Sequence, residues 1–166
     1  MSRVDPVTEL KSQFSSPGAL PTRWVDALNY LDDARIYWLA TVRPDGRPHV
    51  TPLFSVWVDD AMYFSTGEGE RKAKNLAINA QCVILTGCNT VEGLDVVVEG
   101  EAVRTLDEAK LRRIAQRYAS KYNWHYTVRD EALFGAGGKA LVFEVQPATA
   151  FGFGKGDVFS QTRWQF

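Results

Sequence analysis

The sequence has few of the residues that staple or metallate a fold. Cys82 and Cys88 are its only cysteines, and their spacing matches neither a Cys-x-x-Cys redox or zinc motif nor a disulfide framework. They read as buried, reduced thiols. Histidine is equally scarce: His49 and His125 lie far apart, and no His-x-x-x-His, carboxylate cluster or Gly-x-Ser-x-Gly elbow accompanies them. Zinc, iron and serine-nucleophile chemistry therefore have no support, and the expectation is no metal and no catalytic side chain. Net charge is also small, since 19 basic and 20 acidic residues leave −1. No global field draws the chain to nucleic acid or to an anionic membrane. No run approaches the ~18 apolar residues of a membrane span, and the stretch from Met1 to Lys11 has no apolar core. The expectation is a cytoplasmic protein that contacts neither membrane nor nucleic acid.

What is present describes one domain. The 166 residues are 45% hydrophobic and 12% aromatic, enough to bury a core without staples. Residues 1–20, with Ser15-Ser16-Pro17-Gly18, read as a flexible arm or a loosely docked lead-in, and residues 21–166 as a single domain.

Period and turn chemistry sketch that domain. Trp24, Leu28 and Leu31 fall at helical spacing over about 23–34, after which the period drops to two. Residues 36–42, the Pro44-Asp45-Gly46 turn and residues 49–58 form a hairpin. In its second strand Val50, Pro52, Phe54, Val56 and Val58 share the face expected to be core. Further strands are expected at 62–65, 81–86 and 95–104, the last bent or bulged at Gly100. A helix is expected over 71–79. Thr105 with Glu108 reads as a capping box for a second, striped by Leu111, Ile114, Ala115, Tyr118 and Tyr122. Residues 123–138 separate it from strands at 141–145 and 150–154 and an extended end at 160–166. About six antiparallel strands with two to three flanking helices are too many for one open sheet of this size, so the fold class is mainly β, closed as a barrel.

The sharpest chemical signal is the glycine loop from Thr66 to Glu70, which leads into Arg71, Lys72, Lys74 and Asn75. Free amides beside hydroxyls and cations suit a phosphate, while the competing reading is a solvated helix with a Glu70–Lys74 surface pair. Pro52 inside a regular strand marks an edge or a bulge. In Phe151-Gly152-Phe153-Gly154 the glycines bare one strand face, which suits a planar ring or another backbone. Any chemistry here is expected to come from a cofactor.

The string Leu39-Ala40-Thr41-Val42-Arg43-Pro44-Asp45-Gly46-Arg47-Pro48-His49-Val50-Thr51-Pro52, followed by Tyr63-Phe64-Ser65-Thr66 and Arg71-Lys72-Ala73-Lys74-Asn75-Leu76, resembles the pyridoxamine 5'-phosphate oxidase-like split barrels. With Val98-Glu99-Gly100-Glu101-Ala102, Lys121-Tyr122 and the terminal Thr162-Arg163-Trp164-Gln165-Phe166, it is similar to their flavin/deazaflavin oxidoreductase B group. The resemblance covers about residues 24–166. It implies a split β-barrel homodimer, cofactor sites at the subunit interface, and hydride transfer between coenzyme F-420, a deazaflavin, and a small conjugated substrate. FMN in the same fold is the alternative, and a non-enzymatic flavin- or haem-binding protein a third.

By the same resemblance Thr66 and Lys72 hold the cofactor phosphate, and Ser65, Gly67, Arg71, Lys74 and Asn75 beside them are further cofactor-binding candidates. Val50, Thr51, Pro52 and Leu53 lie along its ring, and Arg163 and Trp164 approach from the C-terminus. Trp57, Trp124 and Tyr126 are candidates for the substrate pocket. Glu70 departs from the pattern by standing where some relatives place a second cation. The founding oxidase's substrate-binding arginine and histidine have no counterpart, which argues against pyridoxamine phosphate oxidation.

Overall fold

Alternating apolar residues bounded by tight turns build a mostly antiparallel sheet. The structure, a computed structural model, describes residues 5–87 and 89–166, so Cys88 lies outside the described residues. Its strands are β1 (Val7–Leu10), β2 (Tyr37–Val42), β3 (Pro48–Leu53), β4 (Ser55–Val58), β5 (Ala61–Thr66), β6 (Gln81–Thr86), β7 (Gly93–Arg104), β8 (Thr127–Arg129), β9 (Ala132–Gly135), β10 (Gly138–Lys155) and β11 (Ser160–Gln165). Three helices flank them: α1 (Trp24–Asp33), α2 (Arg71–Leu76) and α3 (Glu108–Tyr122). None is long and apolar enough to cross a membrane.

The strands run in the order β1-β11-β10-β7-β6-β2-β3, and β10 also pairs with β5, which pairs with β4. This is the split β-barrel. Eleven strands replace the six expected, for identifiable reasons. Residues 123–138 hold the β8–β9 hairpin, turned by Asp130 and Glu131 at φ of 49° and 54°, the two left-handed positions of a tight hairpin turn. The expected strands at 141–145 and 150–154 are one strand, β10. Its register slips between Pro147 and Thr149 opposite Gly100, so the extra residue sits on β10 and not on β7. A Cβ on Gly100 would stand 2.4 Å from the Gln146 carbonyl oxygen, which is why the bend tolerates only glycine there.

Two corrections concern faces and caps. The expected strand over 49–58 breaks at Phe54, where the chain leaves its pairing with β2 to pair β4 with β5. The break reverses the expected inside and outside of β3: Val50 is 52% exposed, and Leu53 is buried. Helix α3 is capped by Asp107, whose carboxylate accepts the Lys110 amide, rather than by a Thr105–Glu108 box. Its apolar stripe is as expected. All five of its residues are buried.

Strand β5 shows how the layers stack. Met62 and Phe64 enter the barrel core with Leu39, Ile84, Val98 and Trp164. Tyr63 points the other way, into a second cluster under α3 with Ile114, Tyr118 and Val142. Both faces of the strand are therefore buried. Lys121 ties α3 to the barrel by donating to the Tyr37 hydroxyl at 2.6 Å, and burial pushes its pKa down to about 8. Burial likewise pushes the Cys82 thiol up to about 12, as befits an inert core residue.

The lead-in is docked. Residues 7–10, within the segment expected as a flexible arm or a loosely docked lead-in, pair with β11 from Gln165 to Thr162. Ser15 and Ser16 accept the amides of Gln161 in that strand and of Phe159 just before it, at 3.0 and 2.9 Å.

Candidate functional site

The site begins where β5 runs out. After Thr66 the chain turns through Gly67-Glu68-Gly69-Glu70 into α2, a helix of only six residues that faces β2. Its amphipathic spacing turns Lys72, Ala73, Asn75 and Leu76 inward and leaves Arg71 and Lys74 exposed. Lys72 is consequently 8% exposed, unusual for a lysine, and its ammonium is ion-paired with the Glu70 carboxylate. The other Glu70 oxygen accepts the Gly67 amide at 3.0 Å. Burial pushes the Glu70 carboxyl up, but Lys72, the Gly67 amide and the Thr66 hydroxyl hold it below the ordinary carboxylate range. The Thr66 hydroxyl lies close enough to act on that charge, yet no atom meets it with hydrogen-bond geometry.

Beneath α2 lies a polar seam. Asn75 is fully buried and donates to the Thr41 hydroxyl at 3.0 Å, while its own carbonyl oxygen and the Thr51 hydroxyl find no partner. His49 stands 3.4 Å from Thr41, and its pKa is held down first by burial and then by Arg43, Lys72 and Arg71. Three cationic side chains, Arg43, Arg71 and Lys72, thus stand at this end of β2–β3, and Lys72 is paired at contact with Glu70.

Two adjoining cavities open beside the loop. One of about 350 Å³ is lined by Ile36, Pro52, Leu53, Phe54, Ser65 and Lys72, with Trp124 closing it. The other, about 540 Å³, is bounded by Ser65, Thr66, Gly67 and Glu70 on one side. The Trp124–Tyr126 segment and the glycine hairpin 135–138 form the opposite wall. Ser65 and Trp124 belong to both. Asn123, left-handed at φ 57°, ends α3 and swings Trp124 onto Phe54, with ring centroids 4.4 Å apart. Gly135 lets Tyr126 lie flat on the hairpin, since a Cβ there would come within 2.9 Å of the ring.

The structure therefore brings Pro52, Leu53, Ser65, Thr66, Gly67, Lys72, Trp124 and Tyr126 to one place. Pro52 sits on β3, an edge strand, which explains how a residue without an amide hydrogen is tolerated. Val50 shares the exposed face with Pro52, whereas Thr51 points into the seam. Three other candidates go elsewhere. Trp57 packs edge-on against Trp24 at 6.1 Å, in the barrel wall. Trp164 is fully buried, 5.2 Å from Trp24 and over Gly152, whose bareness serves this indole and not a cofactor ring. Arg163 faces the other side of β11, opposite Phe151 and near Glu9.

The site also contains residues that sequence reasoning passed over: Ile36, Phe54, Glu70 as a ligand of Lys72, and the glycine hairpin. The run Gly135-Ala136-Gly137-Gly138 was the available signal for the last. A larger groove of about 730 Å³ follows the β7–β10 bulge and is lined by Glu99, Glu101 and an ion-paired Lys110–Glu144. It shares no residue with the loop. Among the described residues no cluster of His, Cys, Asp and Glu is arranged to hold a metal.

The fold is a split barrel with a glycine loop and a buried lysine at the mouth of an aromatic-walled cavity. The pyridoxamine 5'-phosphate oxidase family description matches residues 26–152, and the chain belongs to that family. No curated protein matches the sequence. Among solved structures it is similar to a conserved hypothetical protein from Mycobacterium tuberculosis, with TM-score 0.63 and 18% identity over 99% of this chain and 89% of that one. An FAD-binding protein from Mesorhizobium loti gives 0.60 and 14% over 97% and 99%. A heme-binding protein from Mycobacterium smegmatis gives 0.57 and 14% over 77% and 52%. At such identities the likeness is one of fold.

Proposed function

We propose that the protein is an oxidoreductase that uses a phosphate-bearing deazaflavin, coenzyme F-420, to reduce or oxidise a small conjugated substrate. The observation that supports this most is Lys72, buried beside an unpartnered Thr66 hydroxyl at the junction of the two cavities. An ammonium, a hydroxyl and the Gly67 amide are a donor set for phosphate, and the adjoining cavity, with Ile36, Pro52, Leu53, Phe54 and Trp124, has the mostly apolar lining that a fused ring takes. When bound, the deazaflavin supplies hydride transfer. The chain's part is to fix the phosphate, orient the ring against β3, and hold the substrate between Trp124, Tyr126 and the glycine hairpin with water excluded.

FMN is the second reading, since it offers Lys72 the same phosphate. Titrating the purified protein with each cofactor, followed by absorbance, separates them. Tight deazaflavin binding with turnover of an enone supports the proposal, whereas a copurifying yellow flavin favours FMN and a Soret band a haem-binding protein.

The site is also proposed to be shared between two copies of the chain. Trp38 and Val50, on neighbouring strands, are 44% and 52% exposed, and Val42 and Pro52 extend the same apolar face. A second copy laid on it would cover the cavity beside Pro52. Sedimentation equilibrium is expected to give a dimer at micromolar concentration, and a monomer with cofactor bound would sink the shared-site arrangement.

A further inference from the structure

We propose that Glu70 is a built-in competitor for the anion cradle: its carboxylate takes the Lys72 ammonium and the Gly67 amide, so that a phosphate-bearing ligand binds by displacing it. The proposal rests on the phosphate reading above. It differs from a simple charge penalty because Glu70 occupies the same two donors that a phosphate needs, one with each oxygen.

The burial of the pair is lopsided. The Lys72 side chain is 10% exposed and that of Glu70 is 52%. The cation is thus fixed in the protein, whereas the carboxylate reaches water by a rotation of its own side chain. The Glu70 side chain is tied to the loop backbone by one hydrogen bond, from the Gly67 amide. Glu70 stands at the N-cap of α2 without capping it through its side chain, and Gly69 beside it has open space where a Cβ would be. What the carboxylate does secure is a neutral cradle. A buried lysine without a counter-ion would be costly, and Glu70 removes that cost until a ligand arrives.

The exchange also sets a threshold for ligands. An incoming phosphate regains the two contacts that the carboxylate gives up, so the cradle alone yields little net binding. A ligand whose phosphate is joined to a large planar ring gains the apolar cavity as well. Glu70 therefore raises the threshold for every anion by the same factor, and a phosphate ester of a fused aromatic ring clears it through the contacts of its ring.

The test measures dissociation constants of FMN and of inorganic phosphate at fixed salt for the parent and for Glu70→Gln, Glu68→Gln and Lys72→Ala. Glu68 is the control, an exposed carboxylate on the same loop with the same charge. Glu70→Gln is expected to tighten both ligands by about tenfold, the scale of one charge-assisted contact relieved. Glu68→Gln is expected to change neither by more than about twofold. Equal effects of the two substitutions would reduce Glu70 to a diffuse charge and overturn the proposal, as would weaker binding in Glu70→Gln. If Lys72→Ala leaves FMN binding unchanged, the phosphate reading itself fails and the competitor falls with it. If Lys72→Ala weakens FMN while Glu70→Gln does not tighten it, only the competitor fails.

Discussion

Trp164→Ala is expected to destabilise the protein by about 3–5 kcal/mol, the range for removing a large ring from a closed core. The indole is fully buried, and its neighbours are arranged around it. Trp24 lies at 5.2 Å, and the Gly152 strand approaches so closely that a Cβ there would stand 2.5 Å from the ring. Leu94 and Trp24 are held by the barrel and by α1, so the space left behind collapses only in part. For a chain of this length the loss corresponds to a fall in Tm of roughly 10 °C or more. Cofactor affinity per folded molecule should be unchanged, since Trp164 does not reach the cavities beside Lys72. Arg163→Ala is the companion measurement, because it alters the same strand on its opposite face. It is expected to leave both Tm and affinity nearly unchanged. A stable Trp164→Ala that binds cofactor tenfold more weakly would restore the C-terminal residues to the site.

That pair of residues shows what the sequence could convey. Period and turn chemistry are local, so α1, α3, the β2–β3 hairpin and the glycine loop are legible from the chain alone. The loop and Pro52 marked the candidate site for reasons that the structure then supplied: a buried lysine beside an orphaned hydroxyl, and an edge strand. Which face of a strand meets the core is different. It depends on strands distant in sequence, and the break at Phe54 changed the partner of the chain in mid-run, from β2 to β5. Trp164 and Gly152 illustrate the same limit. A bare glycine face and a large ring suit a bound cofactor, and they suit each other equally; only the register of β10 against β11, which sets Gly152 opposite Thr162 with Trp164 two residues on, decides between them. The β8–β9 hairpin was hidden because its two left-handed residues, Asp130 and Glu131, are not the Asn-Gly or Asp-Gly pair that announces such a turn.

Lys72→Ala is expected to weaken cofactor binding by roughly 1.5–3 kcal/mol, about ten- to over a hundredfold, while the barrel still folds. The magnitude follows from two opposed effects at one carboxylate. In the parent protein a phosphate that takes Lys72 must first release Glu70, so part of its gain is offset. In the variant that offset disappears, but Glu70 remains as an uncompensated negative charge at the cradle, anchored by the Gly67 amide at 3.0 Å, and repels the incoming anion. The two corrections have opposite sign and comparable size, which leaves the loss within the range for one hydrogen bond to a charged group. Stability should change by no more than about 1 kcal/mol, because the pair that is broken has one half-exposed partner and its carboxylate is free to hydrate. Lys72→Arg should recover only part of the affinity: it restores the charge, but the broad guanidinium fork must fit a pocket shaped for a single ammonium. Isothermal titration of each variant, with Tm measured alongside, checks all three statements. An unchanged dissociation constant in Lys72→Ala would show that the buried lysine is structural, held by Glu70 for the sake of α2, and that the phosphate is bound elsewhere.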